Sequence, residues 1–424
     1  MRRARPVNLQ SGGRRTREAC ARTVETLLDK RGPRGALPGT SSRPSAWLEA
    51  VKLVAFTRVI YLGVAYLAAS FLAPTDGSSD IGVLEMWTRW DARHFLEIAE
   101  FGYTDPRTDP HATAFFPLWP LMIRGLAATG MSLSLAAMLL ATAASVVAVA
   151  YLYRLAEEEL NRGAGSAGPQ EPNGAGRRAS LYLLFFPTAV FLVAPYSESL
   201  FLAGAIPAFY YARRKRWIMS GMFAAVAMGA RAAGVFLLFG LLLEFVRQRD
   251  FSGASLRRVL MAAVIALLPL VAFGGYLWQV KGDPLYFFTD QRLGWGREFS
   301  GPLDALRTTW DATRVDAGEG AFTNFVIGWR VEIAAVALGI LAVLWAMLKR
   351  EWGYAGYMGV LLAFLVTSTF YLSVPRMLLS MFPIVLFVAE WTGRETRRHE
   401  TVLLVFAAIA MLGVVAFTRQ AWFY

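Results

Sequence analysis

Apolar residues run through this chain in long blocks. They fall at about 47–73, 114–129, 131–153, 180–195, 197–212, 217–230, 232–246, 259–280, 331–348, 353–373, 377–391 and 401–417. The longer blocks reach the roughly 20 apolar residues that a helix needs to cross a bilayer. The shorter ones are predicted as half-helices, buried helices or re-entrant segments. An open strand in lipid leaves backbone groups unpaired, so the blocks are read as helical. The expected class is an all-α integral membrane protein, with residues 46–424 as one polytopic domain.

Composition strengthens this picture. Of 424 residues, 56% are hydrophobic and 17% charged, against about 45–50% and about 25% in soluble domains. A soluble enzyme, a secreted disulfide scaffold and a disordered protein are all disfavoured. The single cysteine, Cys20, excludes an internal disulfide and a cysteine metal cluster. Three histidines (His94, His111, His399) leave little for a multi-histidine site.

The net charge of +12 is read as membrane topology, with membrane lipid and no nucleic acid as partner. Residues 1–45 carry eleven Lys/Arg against three acids and read as a disordered basic cytoplasmic tail. Short basic loops stay on the cytoplasmic side: Arg213–Arg216, the Arg247/Arg249/Arg257/Arg258 turn, Lys349-Arg350, and Arg394/Arg397/Arg398. Residues 74–112 hold eight acids and three arginines, and 281–330 hold seven acids and six bases. These two segments read as external. The alternation closes only if 114–129, with Pro117 and Pro120, is re-entrant or lies in the external leaflet. Residues 163–176 read as a flexible linker. A multi-pass protein of the plasma membrane with a cytoplasmic N-terminus is expected.

In so apolar a chain, charge near membrane depth is informative. The densest cluster is Trp87 to Tyr103. At helical spacing Trp87, Trp90, Asp91, His94, Phe95, Ile98 and Ala99 share one face, as in an amphipathic interfacial helix. The plain alternative is a surface helix whose Asp91 pairs with Arg89 or Arg93. Glu198, in Pro195-Tyr196-Ser197-Glu198-Ser199, is equally a helix cap. Arg231, alone within 217–246, either faces a cavity or snorkels from a hairpin turn. The run Gly282 to Arg297 and the lone Arg376 have ordinary readings as an interfacial loop and a flanking charge. Topology nonetheless puts Asp91, His94, Glu198, Arg231, Arg297 and Arg376 near one membrane face. A carboxylate with arginines there suits an anionic lipid-linked substrate and a base that activates a hydroxyl.

These motifs resemble the PIG-V family of mannosyltransferases. Trp90-Asp91 with His94-Phe95-Leu96, Ile98-Ala99 and Gly102-Tyr103 is similar to that family's first external loop. Ala114 to Pro120, Pro195 to Phe201, and Gly229-Ala230-Arg231 with Gly234 are similar to later motifs. Gly282-Asp283-Pro284 through Trp295-Gly296-Arg297 resembles the bacterial members. The ordered matches span roughly residues 50–390.

The resemblance implies a GT-C-type multi-span helical bundle with amphipathic helices in its external loops. It also implies a polyprenyl-phosphate sugar donor, with mannose the typical sugar, and a catalytic carboxylate at Asp91. The first external loop has no Asp-x-Asp pair, so a divalent metal is not supported and no cofactor is assigned. The acceptor, a glycolipid or glycoprotein, is not specified. The expected reaction is inverting transfer on the external face. Asp91 is the base and His94 orients it or meets substrate; Trp90, Arg93, Tyr196, Glu198, Arg231, Arg297 and Arg376 are expected in substrate binding. The alternative is a transporter or flippase of a lipid or polyprenyl-linked glycan that uses the same cavity without chemistry. The absence of an inverted repeat and the clustering of polar residues at one face favour the enzyme.

Overall fold

A computed structural model describes residues 45–72, 82–160, 174–314 and 323–421. The 1–45 tail, except Ser45, and most of the 163–176 linker lie outside the described residues. The compact unit Ala46–Tyr424 holds the elements below. Among the described residues it is built from helices, with a single isolated bridge between Phe299 and Ser368. The chain is thus an all-α integral membrane protein.

In chain order the helices are α1 (Ala46–Phe71), α2 (Asp91–Phe101), α3 (Leu118–Ala127), α4 (Leu133–Leu160), α5 (Ala175–Leu184), α6 (Glu198–Arg213), α7 (Trp217–Ala230) and α8 (Gly234–Gln248). There follow α9 (Gly253–Lys281), α10 (Tyr286–Trp295), α11 (Pro302–Ala312), α12 (Thr323–Leu348), α13 (Trp352–Val366), α14 (Val374–Ser380), α15 (Pro383–Thr392) and α16 (Thr396–Thr418). Among the described residues, five stretches are long and apolar enough to cross a bilayer: α1, α4, α9, Gly328–Leu348 of α12, and α16. The pair α14 and α15 is apolar enough together for a broken span or a re-entrant loop, with a bend of 77° between them. The bend follows Ser380, where Pro383 opens the next helix and prevents the first from continuing through it.

The dozen blocks are therefore a mixture of full spans and shorter helices. At ten residues, α3 rises only about 15 Å and cannot cross. The short helices α6, α7 and α8 pack on one another and α13 packs on α8, and α6 is buried along nearly its whole length. Small residues let these helices approach closely, as expected where lipid supplies no hydrophobic drive between them. A Cβ on Gly204 would meet the backbone nitrogen of Ala227 at 2.5 Å, and one on Gly240 would meet the Gly353 carbonyl at 2.7 Å.

Arg58, in the first span, is buried. Its guanidinium donates to Thr142 Oγ1 (3.2 Å), Ser145 Oγ (2.8 Å) and the Leu192 carbonyl (2.7 Å), tying α1 to α4 and to the turn before α6.

Candidate active site

The helix expected over Trp87 to Tyr103 starts later, at Asp91. Trp87 belongs to a separate helical turn, Glu85–Trp87, and is fully buried. At Trp90 the backbone enters positive φ (51°), which breaks the helix and leaves the indole 41% exposed. Trp87 and Trp90 therefore do not share the face of Asp91. Starting at Asp91 has an electrostatic logic, since a carboxylate in the first turn meets the positive end of the helix dipole. Phe95, Ile98 and Ala99 bury that helix against the core.

Asp91 does not pair with Arg89 or Arg93. Its Oδ2 lies 2.5 Å from Nη1 of Arg376, a residue 285 positions away. The same guanidinium donates its Nε to Oε1 of Glu198. Nη1 of Arg231 reaches that oxygen at 2.7 Å. Four side chains thus form one chain of charge: Asp91, Arg376, Glu198, Arg231.

Glu198 is fully buried. It opens α6, but Ser197, at the cap position, makes no side-chain capping bond. Its evident role is as counter-ion to two arginines. Arg231 sits in the extended break between α7 and α8, with φ −169° and ψ 159°. The hairpin turn is as expected from sequence, but Arg231 is only 9% exposed and turns inward instead of snorkelling. It is also within 3.4 Å of Ser380 Oγ. Arg376 lies in the first turn of α14, with its guanidinium over the rings of Tyr196 (4.6 Å) and Phe191 (4.9 Å). Tyr196 is itself fixed by donating its hydroxyl to the Arg89 carbonyl at 3.0 Å. It supports the cation from behind the cavity wall.

A cavity of about 330 Å³ opens in front of this chain of charge. Asp91, Arg231, Arg297 and Arg376 line it. Its remaining wall is largely aromatic and aliphatic, including Phe115, Phe116, Phe287 and Trp295, and Phe236, Leu361, Phe364 and Leu365 from α8 and α13. Arg297 donates Nη2 to the Leu372 carbonyl at 2.7 Å, while its Nε is buried without a protein partner. Burial pushes the Asp91 carboxyl up. The charge and hydrogen bond of Arg376 outweigh this, with help from His94 and Arg231, and hold it below the usual carboxylate range.

Several expected site residues lie elsewhere. His94 stacks on Phe115 (4.9 Å between centroids), and its Nδ1 stands 3.8 Å from Asp109, so its nearest carboxylate partner is not Asp91. Arg93 and Trp90 are exposed and do not line the cavity. Two buried carboxylates that hold elements of the site escaped the sequence reading. Asp290 accepts from Thr113 Oγ1 and stands 3.2 Å from His111 Nδ1, pinning α10 to the loop after Asp91. Glu332, buried in α12, accepts the backbone N–H groups of Ser373 and Val374. Each left a signal: an acid in an aromatic run, and a lone acid within an apolar block. Among the described residues no three His, Cys, Asp or Glu side chains converge as metal ligands.

Residues 68–275 match the family model described as mannosyltransferase (PIG-V). GPI alpha-1,6-mannosyltransferase 2 of Mus musculus is 34% identical over 176 residues, 39% of this chain and 33% of that protein. Proteins of the same name from Cricetulus griseus and Homo sapiens are 35% and 33% identical, over 36% and 41% of this chain and 30% and 34% of their own. The matches span about a third of the length of these relatives. The matched residues carry Asp91, Glu198 and Arg231, whereas Arg297 and Arg376 come from later in the chain. Over residues 68–275, just under half of its length, this chain is similar to the PIG-V mannosyltransferases.

Proposed function

We propose that this protein transfers mannose from a polyprenyl-phosphate donor to an acceptor hydroxyl, with inversion, in a GT-C-type arrangement. The observation that carries the reading is a carboxylate, Asp91, facing a cavity that three arginines also line. The likeness to the PIG-V mannosyltransferases suggests the sugar and the transfer; the site supplies the reason for a phosphate leaving group. The names of the mammalian relatives describe GPI mannosyl transfer, and the acceptor here is an unspecified glycolipid or glycoprotein.

In this mechanism Asp91 takes the proton of the acceptor hydroxyl as its oxygen bonds to the anomeric carbon. The bond from that carbon to the phosphate oxygen breaks, and its electron pair leaves on the polyprenyl phosphate. Negative charge grows on that phosphate, where Arg231, Arg297 and Arg376 are placed to meet it. The apolar wall from α8 and α13 suits the prenyl chain. With Arg376 fully engaged, Asp91 is a weak base. A phosphate that draws on Arg376 relieves this and raises the basicity of Asp91 as the donor binds. The site faces outside, opposite the basic loops.

Purified protein supplied with labelled polyprenyl-phosphate mannose and membrane lipid extract tests the reading. Wild type should form a labelled product. Asp91→Asn should lose at least about a hundredfold of that activity, the scale of a general base, while still binding polyprenyl phosphate. Undiminished turnover by Asp91→Asn overturns the assignment; donor movement across vesicles without product marks a flippase.

A further inference from the structure

Arg376 rides on a helix of only seven residues, so something outside that helix must aim it. Ser373, just before α14, has φ 61° and ψ 25°. This is the left-handed region, which a side chain disfavours and glycine tolerates. Glu332 holds this turn from one side. Its Oε1 accepts the Ser373 N–H at 2.6 Å and its Oε2 the Val374 N–H at 2.8 Å. Both are orphan donors of a helix start, and the next residue, Pro375, has none to give. Arg297 holds the turn from the other side through the Leu372 carbonyl. Its own loop is zipped to the segment before the turn. Ser300 N–H donates to the Thr367 carbonyl at 2.9 Å, and Thr369 N–H to the Glu298 carbonyl at 3.0 Å.

We propose that Glu332 and Arg297 are positioning residues that clamp the 372–374 turn and so deliver Arg376 to Asp91 and the cavity. The clamp rests on the transfer reading for its consequence and on geometry for its existence. Arg297 has a second part to play, because the residue lines the cavity while its Nε is buried without a partner among the described residues. A donor phosphate can take Nε while Nη2 keeps Leu372, so phosphate binding stiffens the turn that aims Arg376.

Glu332→Gln tests this with little risk to folding, since the amide oxygen still accepts one of the two N–H groups. It should lower kcat about tenfold and raise the donor KM by a smaller factor. It should also weaken binding of polyprenyl phosphate alone and speed hydrogen exchange in the peptide covering 370–380. Adding Ser373→Gly, which adopts the turn without strain, should recover part of the lost kcat. A purely structural carboxylate would lower thermal stability and leave kcat intact. Wild-type kcat and exchange in Glu332→Gln, or a kcat loss that Ser373→Gly does not relieve, overturns the clamp. If wild type transfers no mannose while Glu332→Gln still weakens polyprenyl phosphate binding and speeds exchange, the transfer reading fails and the clamp stands.

Discussion

Glu198 sets the energetics of the site at the scale of single residues. It is a buried anion whose Oε1 receives two guanidinium groups. Breaking a buried pair by removing one partner costs about 3–5 kcal/mol, because the other charge stays behind uncompensated. Glu198→Gln should therefore melt well below wild type in detergent, and the surviving fold should bind polyprenyl phosphate with altered affinity. A melting temperature equal to wild type would show that the arginines do not depend on this carboxylate. Asp91 carries the pH signature. Its folded value is depressed by Arg376, so its stabilising contribution is present above the unfolded value of about 3.9. That contribution fades as pH falls through the lower folded value. In the proposed mechanism the acid limb of kcat/KM, which reports free enzyme, should lie at lower pH than that of kcat, which reports the donor complex. Coincident limbs would argue that the phosphate does not draw on Arg376.

At the scale of elements, α10 lines the cavity and is tied at its middle and just beyond its C-terminal end. Asp290 anchors it to His111 and Thr113, and Arg297, just beyond it, anchors to Leu372. Asp290→Ala should raise the donor KM several-fold more than it lowers kcat, since it loosens a wall and leaves Asp91 and Arg376 in place; steady-state kinetics with varied donor decides this. The far wall depends on the close approach of α8 and α13 at Gly240. Gly240→Val forces a side chain against Tyr357 and the Gly353 carbonyl, and overpacking of this kind costs about 1–3 kcal/mol. Thermal unfolding in detergent should show that loss. Element type was legible in the chain because burial in lipid is a local property of twenty-residue windows. Boundaries were less so. Asp91 looked like the middle of an amphipathic helix, and it is the first residue of one. The break at Trp90 depends on a positive φ that periodicity does not reveal.

At the scale of the molecule, α6 joins two ion clusters. Glu198 is its first residue and Arg213 its last, roughly 22 Å apart along the axis at 1.5 Å per residue. At the far end Arg213 contacts Glu159 and Glu351 at 2.6 Å each, with Glu244 at 3.9 Å and the Tyr354 ring beneath its guanidinium at 4.2 Å. Arg213→Leu leaves Glu159 without its cation, while Arg247 stays with Glu244 at 2.8 Å, and should destabilise the bundle by about 3–5 kcal/mol without changing the donor KM of the folded fraction; a shifted KM would mean the two ends communicate. By itself, the sequence determined the helical membrane class, the likeness to the PIG-V mannosyltransferases and the identity of most charges near the site. Those follow from local hydropathy and ordered motifs. Which charges pair was decided only by the tertiary structure. Arg376 meets Asp91 across 285 positions and Glu198 across 178, and Glu332 reaches the Ser373 turn from another helix. In a low-dielectric interior each buried charge must find a partner, but packing between distant helices, not spacing along the chain, selects which one.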